Sequence, residues 1–170
     1  MQRPTAQEYN QSVYAHYNDL MPDGNMMANF QTVHQASQLL LRELSEEKAN
    51  YAYEEGKWTI KQVIQHLIDT ERIMAYRALC IARGEKQELP GFDQNMYAYN
   101  ANVDKISLQE LMGEWHLLRL TTIQLFGRFS VEETELMGIA NGNPISVRAL
   151  AFLIIGHELH HIRILKERYL

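Results

Sequence analysis

Gly156-His157-Glu158-Leu159-His160-His161 sits inside an apolar segment that begins near Ile145 and runs to Leu170. Read as a helix, the stretch puts His157 and His161 one turn apart on the same face. Their ring nitrogens can then converge on one metal ion, and imidazole suits zinc and other borderline transition metals. The pair continues a stripe through Leu150 and Ile154 to Ile164 and Leu165, which should face a core. Spacing alone is weak support. With 7 histidines in 170 residues, random placement gives roughly 0.3 such pairs. Two hydrogen-bonded core histidines would read the same way.

The length suits one domain over residues 1–170, with enough chain to bury a sizeable core. A net charge of -5 argues against nonspecific binding to nucleic acid, which needs a basic surface. Cys80 is the one cysteine, so no internal disulfide forms, as fits a reducing compartment. Met1-Gln2-Arg3-Pro4-Thr5 lacks the apolar core of a signal peptide. The longest apolar run, Ala149 to Ile155, is far short of the ~18 residues that span a bilayer. The expectation is a soluble cytoplasmic protein with no membrane partner.

Upstream, Thr5-Ala6-Gln7-Glu8 has the capping-box pattern and predicts a short helix to about Asn18, broken by Pro22-Asp23-Gly24. A second helix is expected from about Met26 to Glu47, with Val33, Ala36, Leu40, Leu41 and Leu44 as its stripe. Thr59-Ile60-Lys61-Gln62 caps a third, reaching about Arg83. Residues 85–106 read as a long irregular segment containing Tyr97 and Tyr99. Ser107 to Glu110 opens a helix to about Phe129, Ser130 starts a short turn of helix, and Asn141 to Pro144 is a turn. Ser146 caps the last helix. His16, His34 and His116 have no ligand-spaced partner and read as surface or core residues. No strand-like alternation of useful length is visible. The fold class is therefore all-α, a bundle of four main helices. The long 85–106 link can cross the bundle, making the second and third bundle helices parallel and the last antiparallel to the second.

That arrangement points to a third ligand. His66 lies about 10 Å from the start of its helix, and His161 about 14 Å from the C-terminal end of its own, at ~1.5 Å per residue. In antiparallel helices these depths roughly coincide. His66 is about 60° round from Val63, on the flank of its apolar stripe. The string His157 to His161 also matches H-E-x-x-H, the zincin protease signature. The extended form of that motif needs Gly at 164 and His at 167, where this chain has Ile164 and Glu167.

Two blocks, Lys57-Trp58-Thr59-Ile60-Lys61-Gln62-Val63-Ile64-Gln65-His66-Leu67-Ile68-Asp69-Thr70-Glu71 and Gly156 to His161, resemble the DinB superfamily. It includes the YfiT-like candidate metal-dependent hydrolases. Length and the order of elements match across nearly the whole chain. The resemblance implies an up-down-down-up four-helix bundle, with a long crossover between bundle helices 2 and 3 and short extra helices. It implies His66, His157 and His161 as ligands of one divalent transition metal, zinc or nickel first, with manganese or iron also accepted. It further implies a homodimer, and relatives that are hydrolases or S-transferases using a low-molecular-weight thiol cosubstrate.

Three neutral imidazoles leave an ion its full charge and an open position, the pattern of a catalytic site. Water held there can approach a pKa of ~7 and attack, and a thiol would lose its proton. The expected function is thus a small-molecule enzyme, either a metal-assisted hydrolase or a thiol S-transferase. The other reading is a non-catalytic bundle that binds a small ligand or partner, with a structural metal or none. Asp69, Glu71 and Glu158 are candidates to hold the ligand rings from behind. His160 lies about 60° off the ligand stripe and reads as a neighbour. Trp58, Tyr97 and Tyr99 are candidates for the mouth.

Overall fold

A computed structural model describes every residue, Met1–Leu170. In chain order the elements are α1 (Gln11–Leu20), α2 (Met26–Leu41), α3 (Glu46–Ala49), α4 (Ile60–Ala82), α5 (Gln94–Asn100), α6 (Leu108–Phe126), α7 (Val131–Glu135), β1 (Met137–Ala140), β2 (Asn143–Ser146) and α8 (Val147–Arg168). The long helices start where the sequence says they should. Thr59 and Gln62 form a complete capping box before α4, and Ser107 and Glu110 another before α6. Each satisfies two orphan backbone N–H groups at a helix start. Ser146 accepts from the Ala149 N–H and opens α8.

Side-chain pairs fix the directions. Phe30 stacks on Phe126, His34 meets Trp115, and Gln38 donates to the Met112 carbonyl, so α2 and α6 are antiparallel. Lys61 and the Leu108 N–H both bind Glu46, while Glu71 meets Arg119, so α4 and α6 are parallel. Tyr169 donates to the Trp58 carbonyl and His66 meets His157, so α4 and α8 are antiparallel. The bundle is up-down-down-up, and residues 83–107 cross it. No helix is long and apolar enough to cross a membrane.

Helix α8 is buried on all sides from Val147 to Glu158, because α1 covers the side the bundle leaves open. The two cores meet along it. One is built on Phe30, Phe126, Leu150 and Ile154, the other on Ile64, Ile68, Leu111, Trp115 and Leu165.

Four local expectations shift. The first helix starts at Gln11, capped by Asn10, and not near Thr5. Glu8 does accept from the Thr5 N–H, but Arg148 and Ser146 also bind Glu8. This pins residues 5–9 across the start of α8 in place of a helical turn. Helix α2 stops at Leu41, and Ser45 caps the separate short α3. The long 85–106 segment contains α5, capped by Asp93. The turn at Asn141 belongs to a hairpin: β1 pairs antiparallel with β2, Gly138 opposite Ile145. Asn141 and Gly142 both have positive φ, at 51° and 71°, the signature of a type I′ turn. Four-residue strands with Pro144 inside one give no readable alternation. Single bridges from Tyr9 and Leu89 cover the hairpin's two edges.

Candidate metal centre

The capping box at Thr59 sets the phase of α4 and turns His66 inward toward α8. From α8, His157 and His161 meet it. The Nε2 of His157 lies 3.0 Å from the Nε2 of His66 and 3.0 Å from that of His161. The three rings sit 4.5–4.9 Å apart, centroid to centroid. His66 and His157 are buried and His161 is half-buried. Thr70 Oγ1 is 3.5 Å from His66 Nδ1. A proton on that Nδ1 leaves the Nε2 lone pair free to face the other two rings.

Burial holds all three imidazoles neutral at physiological pH. It pushes His66 down to about 4 and His161, with its neighbouring histidines, down to about 3. His157 falls well below its ordinary value, through burial first and then the adjacent histidines. Three converging neutral nitrogens with no acid or amide between them cannot all satisfy one another by hydrogen bonds. They do fit a cation. Nitrogens ~2.0–2.1 Å from a tetrahedral zinc stand about 3.3 Å from each other, close to the 3.0 Å from His157 to each of the other two, and all three ligand atoms lie within 4.8 Å of one another. The donor set, three His and no carboxylate or thiolate, suits zinc, nickel or a similar divalent ion.

Aromatic rings surround the cluster. Trp58 lies 4.9 Å from His66, centroid to centroid, and Tyr17 of α1 lies 5.5 Å from His157. His160 neighbours His161, Tyr17 and His16. A cavity of about 280 Å³ opens beside His161. Tyr97 packs instead on Phe92, and Tyr99 is exposed.

None of the three candidate carboxylates reaches a ligand ring. Asp69 accepts from Gln65. Glu71 takes a two-pronged bond from Arg119, at 2.9 and 2.7 Å. Glu158 Oε2 lies 2.7 Å from Arg119 Nη1, and its Oε1 lies 3.9 Å from His34 Nδ1. Arg119 also donates to the Phe30 carbonyl at 3.3 Å. This polar triad thus ties all four bundle helices together in the dry interior. Burial pushes Glu158 up, with Arg119 pulling against it. Burial disfavours the charge on Arg119, but Glu158 and Glu71 outweigh it and hold the guanidinium ionised. Facing Arg119, Glu158 cannot serve as the base that a zincin reading of H-E-x-x-H requires.

Sequence reasoning passed over Arg119 and Tyr17. Arg119 did leave a signal, a charged residue on the α6 stripe of Leu108, Leu111, Met112, Trp115, Thr122 and Phe126. Tyr17 left none, since it reaches the cluster only through the packing of α1.

The profile of the DinB superfamily matches residues 29–165. A candidate metal-dependent hydrolase of Oceanobacillus iheyensis is 26% identical over 127 residues, 72% of this chain and 71% of that protein. Among solved structures, YfiT from Bacillus subtilis is described as a probable metal-dependent hydrolase with an unusual four-helix bundle topology. It superposes with a TM-score of 0.75 over 84% of this chain and 82% of that one, at 15% identity, a likeness of fold.

Proposed function

The chain belongs to the DinB superfamily, and on that premise we propose that it is a metal-dependent hydrolase of a small molecule, with His66, His157 and His161 as the metal's ligands. The observation that carries this is the convergence of three neutral Nε2 atoms, two of the contacts at 3.0 Å, from two antiparallel helices. The name of the Oceanobacillus relative supports it. When bound, a divalent ion supplies Lewis acidity and lowers the pKa of a ligated water. The chain's own residues do the rest. Thr70 Oγ1 stands 3.5 Å from His66 Nδ1, where it can accept a hydrogen bond from a proton held there and leave Nε2 for the ion. Trp58 and Tyr17 wall the cluster with aromatic surface and limit water. The Arg119 triad fixes the rotation of α8, and with it the aim of His157.

The test is elemental analysis of wild type and His157→Ala, purified without a metal-affinity tag. About one transition ion per wild-type chain and none in the variant is the expected result. A screen of small esters, amides and lactones then follows on the loaded protein. No ion after zinc, nickel and manganese are each offered refutes the reading. Turnover only with an added low-molecular-weight thiol and an electrophile would make the protein an S-transferase. Metal without turnover in either screen would leave a bundle whose ion is structural.

A further inference from the structure

We propose that the molecule hydrolysed has an apolar body of aromatic size with a carboxylate at its outer end, and that it lies in the cavity beside His161; this rests on the metal-dependent reading above. The cavity's volume of about 280 Å³ is near the lower end of the ~300–1,000 Å³ usual for small-molecule sites, room for one ring and a short chain. Its lining is graded from inside to outside. His161 is in its wall and brings the inner end to the edge of the three-histidine cluster, and Trp58, also in the wall, packs on His66. Val63 and Tyr169 are buried, and Ile164 is half-buried. Lys57 and Asn95 are exposed and form the rim.

The walls are set before any ligand arrives. The Tyr169 hydroxyl donates to the Trp58 carbonyl at 2.7 Å, and the Tyr169 ring meets Tyr53 edge-on at 4.9 Å. With its polar atom engaged, Tyr169 offers a ring face. Tyr53, Trp58 and Tyr169 with Val63 and Ile164 therefore make a slot that favours a flat apolar group. No acidic side chain lines it. Lys57 is the one charged lining residue and makes no ion pair within the chain, and the Asn95 side-chain amide makes no hydrogen bond within it. Both have unused donors for an anion. A ligand matching this order places its reactive bond at the imidazoles, its ring in the slot and its carboxylate at the rim.

The probes are 3-phenylpropanoate, 3-phenylpropanamide and 3-phenylpropylamine, which share a body and differ in charge. Each is titrated into zinc-loaded protein by the quenching of Trp58 fluorescence, with Trp58→Phe giving the background from Trp115. Expected affinity falls from carboxylate to amide to amine. Lys57→Gln weakens the carboxylate by about two- to fivefold, the usual scale for an exposed charge pair, and leaves the amide unchanged. A carboxylate held only by the zinc would ignore Lys57→Gln. Ile164→Trp fills the slot and removes binding of all three, with zinc still at one ion per chain, which also reports that the variant is folded. An amine that binds as tightly as the carboxylate, or binding that survives Ile164→Trp, overturns the proposal. Zinc at one per chain with the wrong probe order sinks the substrate class alone, whereas zinc absent from the wild type sinks the reading beneath it.

Discussion

Gly156→Ala should destabilise this protein although alanine is the better helix former. A methyl group at 156 would fall on the Tyr17 carbonyl, 2.7 Å from its carbon and 2.9 Å from Tyr17 Cβ. Backbone atoms cannot swing aside as a flexible side chain would, so α1 must retreat by roughly 1 Å, enough to forfeit much of its contact with α8. Overpacking of this kind costs about 1–3 kcal/mol. Replacing Gly by Ala inside a helix returns about 1 kcal/mol. The clash offsets or exceeds that gain, and the expected net loss is up to about 2 kcal/mol, a fall in Tm of up to about 8 °C for a domain of this size. Gly113→Ala is the matched control. It lies inside α6 with nothing within 4 Å of the added methyl, so only the propensity gain of about 1 kcal/mol applies. Urea denaturation followed by circular dichroism measures both. Limited proteolysis reports on α1, which should become more sensitive in Gly156→Ala only. If both variants gain stability equally, α1 does not pack on Gly156 and the roof over His157 is misplaced.

Arg119→Met strands the Glu71 and Glu158 carboxylates in the core and should cost about 3–5 kcal/mol, while adding Glu71→Gln and Glu158→Gln recovers part of it, read from urea midpoints. Burial raises Glu8, but its bonds from Arg148, Thr5 and Ser146 win and hold it down at about 2. A depressed carboxylate stabilises the fold above its unfolded value of 4.5, and that gain is lost as pH falls from 4.5 toward 2. Discounted for solvent screening, the loss is about 1–2 kcal/mol, and the urea midpoint of Glu8→Gln should be flatter than wild type across that window. Zinc at a hundredfold above its Kd should raise stability by about 2.7 kcal/mol, about 5–10 °C in Tm. Chelator reverses the gain, and His161→Ala should show none of it by thermal shift.

The helices were legible because their ends and their interiors agree. Thr59, Ser107, Ser130 and Ser146 each carry a local cap signal, and the apolar spacing behind each continues it. His66 was legible through depth, since antiparallel helices align residues by rise alone. The hairpin was not, because its strands are too short for a period to show and only Asn141-Gly142 marked it. The start of α1 was misread for a different reason. Thr5 and Glu8 make the local bonds of a capping box, yet Arg148, 140 residues away in sequence, decides what Glu8 does. The partners of Glu71 and Glu158 were hidden in the same way. Each reads as a candidate partner for a ligand ring until α6 supplies Arg119 between them.

Gly156, His157 and Glu158 show why the site is built on this part of α8. Consecutive residues on a helix point about 100° apart, so the three address different neighbours. Gly156 meets α1 backbone, His157 meets His66 of α4, and Glu158 meets Arg119 of α6 and faces His34 of α2. A rotation of α8 by about 20° would carry side-chain tips at a radius of ~5–6 Å through roughly 2 Å. A metal site tolerates only about 0.5 Å. The same rotation would drive Gly156 further into Tyr17 or open a gap there, and would pull Glu158 off a 2.7 Å contact in the dry core. Neither neighbour of His157 needs to touch an ion held there to keep its ring in line. The buried triad is therefore better understood as the rotational stop of α8 than as a source of net stability, which a buried ion pair seldom supplies.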